Sequence, residues 1–153
     1  MNKRSFLTYM KYILLLAAVA ILFILFRPRR VTSLLSGSPS QFAYLYIRRE
    51  DTPSNSIASD TAKQLFFLME GSLVQYRGPF SGTVTLDDIM HCYNLYLPRV
   101  DHEQEIESIE RLIFDDNGYI YTEHSVYKIL GTDIKNRSPL LSLVKQLGSV
   151  EDE

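Results

Sequence analysis

The chain has one cysteine, Cys92, no acidic residue before position 31, and no run matching G-x-S-x-G, G-x-G-x-x-G, a Walker loop or H-E-x-x-H. Each absence removes a class. A single cysteine cannot close an internal disulfide, so a disulfide-stapled mini-domain is excluded. The missing signatures exclude the motif-bearing nucleotide-binding, hydrolase and metalloprotease families. The lack of early carboxylates divides the charge. Six basic residues (Lys3, Arg4, Lys11, Arg27, Arg29, Arg30) stand alone in residues 1–30, leaving 10 Lys and Arg against 18 Asp and Glu and a net charge of −8 beyond them. A domain so acidic is a poor partner for nucleic acid, which needs a concentrated basic face.

What is present is an apolar run. From Phe6 to Phe26 the chain reads FLTYMKYILLLAAVAILFILF, 21 residues that as a helix rise about 31 Å, the thickness of a bilayer core. Lys11 interrupts it near one end, where its stem can reach the headgroups. Tyr9 and Tyr12 suit one interface, and Arg27, Pro28, Arg29 and Arg30 close the other. A cleaved secretory signal would need a small-x-small site after Phe26. The residues there are RPRRVTSLL, so the expectation is an uncleaved anchor with the lipid bilayer as its partner. Basic residues flank the run almost evenly. The short leader of residues 1–5 favours a cytoplasmic N terminus and an extracytoplasmic C-terminal domain.

Residues 27–40 read as a basic collar followed by a Ser-, Gly- and Pro-containing spacer, able to reach about 30 Å if extended over its last ten residues. Residues 41–148 form one soluble domain, long enough for one core and too short for two, and the acidic residues 149–153 are a tail. Within the domain, 42–47 (FAYLYI) has strand composition. Ser59 or Asp60 caps a helix ending at Gly71, with Ala62, Leu65, Phe66 and Met69 on one face. Residues 72–77 predict a strand cut by Gly78 and Pro79, and 83–98 one or two strands ended by Pro98. Residues 100–110 are acidic, with a helical turn expected in the first half. Strands at 109–114 and 119–124 flank Asn117 and Gly118, a hairpin signal of type I′, and 125–130 gives another strand. Ser138 and Pro139 open a final helix whose stripe is Leu140, Leu141, Val144 and Leu147, ending at Gly148. The fold class is therefore α+β: an N-terminal transmembrane helix, then a small, mainly antiparallel sheet with two packed helices.

No chemical constellation survives weighing. His91 and Cys92 hold metal-binding and nucleophilic groups, but neighbours on a strand point to opposite faces, and His102 and His124 do not supply zinc spacing. A buried thiol beside an exposed histidine is the expectation. Asp101, Glu103, Glu105, Glu107 and Glu110 lack the glycine of a calcium loop and read as a solvated face. Asp115, Asp116 and Asn117 sit where a hairpin turn wants them for backbone reasons. No catalytic, cofactor-binding or metal residue is assigned. Tyrosine is frequent, with Tyr44, Tyr46, Tyr76, Tyr93, Tyr96, Tyr119, Tyr121 and Tyr127 in expected strands. Strand propensity explains that frequency. A tyrosine-bearing sheet face is also a fitting surface for a protein partner.

The layout of basic leader, single span, small-residue spacer and compact domain, with the segment YIYTEHSVYKIL (119–130), resembles the small, uncharacterised single-span membrane-anchored proteins of Gram-positive bacteria. The resemblance is architectural and implies no activity or site residue. Three function classes follow: an anchored interaction or sensory module, a membrane-tethered enzyme such as a hydrolase with an unrecognised site, and an accessory subunit of a membrane complex.

Overall fold

A computed structural model describes residues 3–42, 45–49, 55–80, 92–100, 105–131 and 138–149. Helix α1 runs Lys3–Phe26. From Tyr9 onward its side chains are exposed, with no part of Tyr9–Phe26 buried against the rest of the chain. It is the one helix among the described residues long and apolar enough to cross a membrane. Pro28 follows two residues after its end and cannot continue it.

The chain enters the sheet almost at once. Arg29–Arg30 forms β1, which pairs antiparallel with β4 (Leu73–Pro79), Arg29 opposite Val74 and Arg30 opposite Leu73. Residues 31–40, expected as a spacer, instead carry one short 3₁₀ helix, Val31–Leu34, and the start of a second, Pro39–Gln41. Val31 is fully buried, its N–H donates to the Ser72 carbonyl at 3.0 Å, and Leu34 and Leu35 pack on the core. The serines suggested a linker. Three apolar side chains and a capping exchange between Ser38 and Gln41 hold the segment down.

Among the described residues eight strands form one antiparallel sheet. The remaining strands are β2 (Leu45–Arg49), β3 (Asn55–Ile57), β5 (Cys92–Val100), β6 (Ile106–Asp115), β7 (Tyr119–Tyr121) and β8 (Ser125–Ile129). In space they run β1, β4, β8, β7, β6, β5, β2, β3. Both edges are very short, which limits the row of unpaired backbone groups available for edge-to-edge pairing. Helix α2 (Ser59–Gly71) connects β3 near one edge to β4 near the other, and α3 (Pro139–Gly148) follows the last strand.

Strand alternation sets the core. Leu45 and Ile47, Tyr93, Leu95 and Leu97, Leu112 and Phe114, Ile120, Ile129 and Val74 share one side of the sheet. Leu65 and Met69 of α2 and Leu140, Leu141 and Val144 of α3 close over them. Burying each such side chain contributes about 1.5–3 kcal/mol. The α+β architecture with helices on one face is as the periodicities imply.

Several boundaries differ from expectation. Residues 43–44 lie outside the described set; Phe42 makes an isolated bridge to Arg99, and the described strand continues past Ile47 to Arg49. Ala58, not Ser59 or Asp60, occupies the N-cap of α2 with no side-chain cap, while Asp60 sits in the first turn, where the helix dipole favours a carboxylate. β4 passes through Gly78 to Pro79 because a register shift between Tyr76 and Gly78 accommodates them at the strand's end. β5 runs through Pro98 to Val100, with Pro98 opposite Ile109 of β6. β6 starts at Ile106, ahead of the strand expected from Ile109, since β5 supplies a partner that the local pattern does not show; the helical turn expected in the first half of 100–110 falls mostly outside the described residues. The first half of the expected strand region, 81–91, and positions 101–104 lie outside the described residues.

The hairpin at Asn117–Gly118 is present with a different turn. The Gly118 N–H donates to the Asp115 carbonyl at 3.1 Å, and Phe114 pairs with Ile120, so Asp116 and Asn117 are the central residues. Gly118 follows in the left-handed region at φ 80°. This is a type I turn closed by a left-handed glycine, not a two-residue type I′ turn. At α3, Ser138 caps as expected, its Oγ accepting from the Leu141 N–H at 3.4 Å with Pro139 at the first helical position.

Two helix-terminal glycines give a matched test of packing. A Cβ on Gly148 would lie 2.4 Å from Cδ1 of the buried Tyr93, whereas one on Gly71 meets nothing within 4 Å. Gly148→Ala should destabilise the domain by about 1–3 kcal/mol, and Gly71→Ala should be neutral or slightly stabilising. Thermal unfolding of the full chain in micelles, followed by circular dichroism, measures both; equal melting temperatures would contradict the docking of α3 on Tyr93.

Candidate functional site

The helices leave the second face of the sheet to other groups. On β5, β6 and β7 it carries Cys92, Asn94 and Tyr96, then Arg111, Ile113 and Asp115, then Tyr119 and Tyr121. Tyr46 and Arg48 extend it on β2 and Lys128 on β8. The expected tyrosines therefore divide. Tyr76, Tyr93 and Tyr127 lie on the helix-covered side, Tyr46, Tyr96, Tyr119 and Tyr121 on the other, and Tyr44 is outside the described residues. Those four are each partly exposed.

Three polar contacts organise this face. Asn94 is fully buried, and its Oδ1 accepts from Arg111 Nε at 3.0 Å and Nη2 at 2.7 Å. A buried amide oxygen left unpaired costs about 1–3 kcal/mol; the fork of the guanidinium removes that cost. The same guanidinium lies 5.8 Å from the Tyr96 ring centre, a cation–π distance. On the far side, the Lys128 ammonium sits 4.5 Å over the Tyr119 ring and donates to the Asn117 carbonyl.

The third contact is centred on Asp115, 6% exposed. Its Oδ1 accepts the N–H of Asn117 at 2.9 Å and of Tyr119 at 2.8 Å, and its Oδ2 accepts the Tyr121 hydroxyl at 3.2 Å. The first two bonds hold the turn, as an Asx side chain does. The third ties the turn to the sheet face. Burial first, then the nearby Asp115 charge and its hydrogen bond, push the Tyr121 hydroxyl up to about 12. Phe80 packs on the Tyr121 ring with centres 5.3 Å apart, beside buried Cys92 and Ile113.

The residues singled out for chemistry do not converge. Cys92 is a fully buried free thiol, as expected, with Asn94 Nδ2 3.9 Å from its sulfur, while His91 and His102 fall outside the described residues. His124 is exposed beside Glu123. Glu107, more than half exposed, pairs with Arg99 at 3.1 Å, and the Glu110 carboxylate accepts the Ser36 N–H at 2.9 Å and its hydroxyl, so these two glutamates brace the chain from a solvated face. Asp101 and Glu103 are outside the described set. Asp116 pairs with Lys145 of α3. Among the described residues no group of three or more His, Cys, Asp or Glu side chains is placed to hold a metal. The Asn94–Arg111 and Asp115–Tyr121 contacts join residues 17 and 6 apart. Strand alternation alone could have placed each pair on one face, but not the strand register between them.

No protein-family model, curated protein or solved structure matches the chain.

The raised Tyr121 pKa gives a pH-dependent expectation. Because the folded value lies above the ordinary 10, the stability it contributes is present below pH 10 and is lost as pH rises toward 12. Tyr121→Phe should lower stability by about 1 kcal/mol at neutral pH, the worth of one hydrogen bond. It should also flatten the fall in stability between pH 10 and 12. Melting the two proteins across that range measures both effects; parallel curves would rule out the Asp115–Tyr121 bond.

Proposed function

We propose that the chain is a membrane-anchored, non-enzymatic interaction or sensory module, held in the bilayer by α1 and presenting its acidic domain on the extracytoplasmic side. One observation carries the reading: Tyr9–Phe26 is apolar but for Lys11, and none of it is buried, Phe26 at its end touching β4. Eighteen such residues left in water would lose the burial that stabilises every other apolar element of the fold. The basic residues Lys3 and Arg4 ahead of Phe6, with Arg27, Arg29 and Arg30 at the other end, support an anchor with its N terminus inside. The partner-binding surface of this reading is the sheet face opposite α2 and α3, where Tyr46, Tyr96, Tyr119 and Tyr121 are partly exposed and the rings of Tyr96 and Tyr119 carry a cation. Tyrosine rings with a polar tip and an adjacent arginine are the residue types enriched in protein interfaces.

Alkaline carbonate extraction of membranes, together with protease treatment of intact cells bearing a reporter after Glu153, tests both parts. The chain should stay with the membrane pellet, and the reporter should be removed by external protease. Release into the supernatant would overturn the anchor, and full protection of the reporter would overturn the orientation.

A further inference from the structure

The end of α1 gathers more positive charge than its own stretch of sequence supplies. Arg27 and Arg29 are exposed, and among the described residues neither has a carboxylate partner, whereas Arg30 beside them is paired with Glu70. The fold adds a third cation. Gln75 Nε2 donates to the Phe26 carbonyl at 3.2 Å, and the Tyr76 ring meets the Phe26 ring edge-on with centres 6.0 Å apart. Arg77 is the next residue along β4, exposed and likewise without an ion pair among the described residues. Fifty positions separate it from Arg27, and the docking of β4 on the helix end brings it there. Among the described residues, three guanidinium groups without an ion pair thus stand on the segments that meet at the end of α1.

We propose that Arg27, Arg29 and Arg77 bind the phosphate of an anionic phospholipid headgroup at the end of α1. The proposal rests on the reading of α1 as a membrane span. A guanidinium matches phosphate oxygens in a bidentate fork, and a basic group close to an anionic lipid surface is worth about fivefold in association. Arg27 and Arg29 belong to the flank of the span. Arg77 is the member that only the folded domain supplies, and it separates a built site from a generic basic flank.

The full chain, reconstituted in vesicles with spin-labelled phosphatidylglycerol or phosphatidylcholine, reports which lipid is held at the protein surface. The wild type should prefer the glycerol lipid. Arg77→Gln should reduce that preference about fivefold, Arg77→Lys should retain most of it, and Arg48→Gln, which removes an exposed cation on β2, should leave it unchanged. Near-UV dichroism of the tyrosines checks that each variant is folded. An unchanged preference in Arg77→Gln, or an equal loss in Arg48→Gln, overturns the site while leaving the span reading intact. Displacement of the lipid by inorganic phosphate, beyond that by chloride at equal ionic strength, would assign the cluster to a soluble anion and also overturn it. Failure of the chain to enter vesicles overturns the span reading and the site with it.

Discussion

The structure depends on how an apolar helix ends. The last carbonyls of any helix lack intrahelical partners. Here the Phe26 carbonyl is met by the Gln75 side chain, and the terminal ring is met by Tyr76, which in turn contacts Tyr127 edge-on at 5.8 Å. Two successive residues of β4, whose side chains leave the strand on opposite sides, both reach the helix end. From there Arg29 and Arg30 pair directly with β4. Sheet and helix are joined by side chain, ring and ladder within a few residues of one another.

That junction organises the rest of the sheet. β1 covers the outer edge of β4 only at Leu73 and Val74, and Val31 then turns under into the core. The Arg30–Glu70 pair and the bond from the Thr32 hydroxyl to the same carboxylate at 2.6 Å bring the end of α2 to this corner. Both groups of the ion pair are largely solvated, so its contribution is small; its effect is positional. At the opposite side, α3 is fixed by burial of Leu140, Leu141 and Val144 and by the Lys145–Asp116 contact to the β6–β7 turn.

Much of this fold was legible because it is written in short-range patterns. The apolar run, the stripe of α3, the Ser138-Pro139 start and the presence of a turn near Gly118 need only local rules, and each is where those rules put it. The parts misread depend on partners distant in sequence. Residues 31–40 look like a linker until Val31 finds Ser72, and Ile106–Glu110 looks irregular until β5 lies beside it. The turn type was missed because Asp115, two residues before the Asn-Gly pair, takes the Asn117 and Tyr119 amides and moves the turn's centre back by one residue. The sheet face opposite the helices was legible as an excess of strand tyrosines. Which of them face outward required the register, and the buried Asn94 under Arg111 had no signal beyond alternation.

The close joint between helix and sheet also makes the domain a lever arm. Six inter-strand steps from β4 to β3, at ~4.8 Å each, put the far edge about 29 Å from the joint. A tilt of α1 by about 20°, taken up in the plane of that width, swings the β3 edge through about 10 Å. Small changes in how the helix lies are thereby enlarged at the far side of the domain, an amplification that a domain on a slack tether would lose.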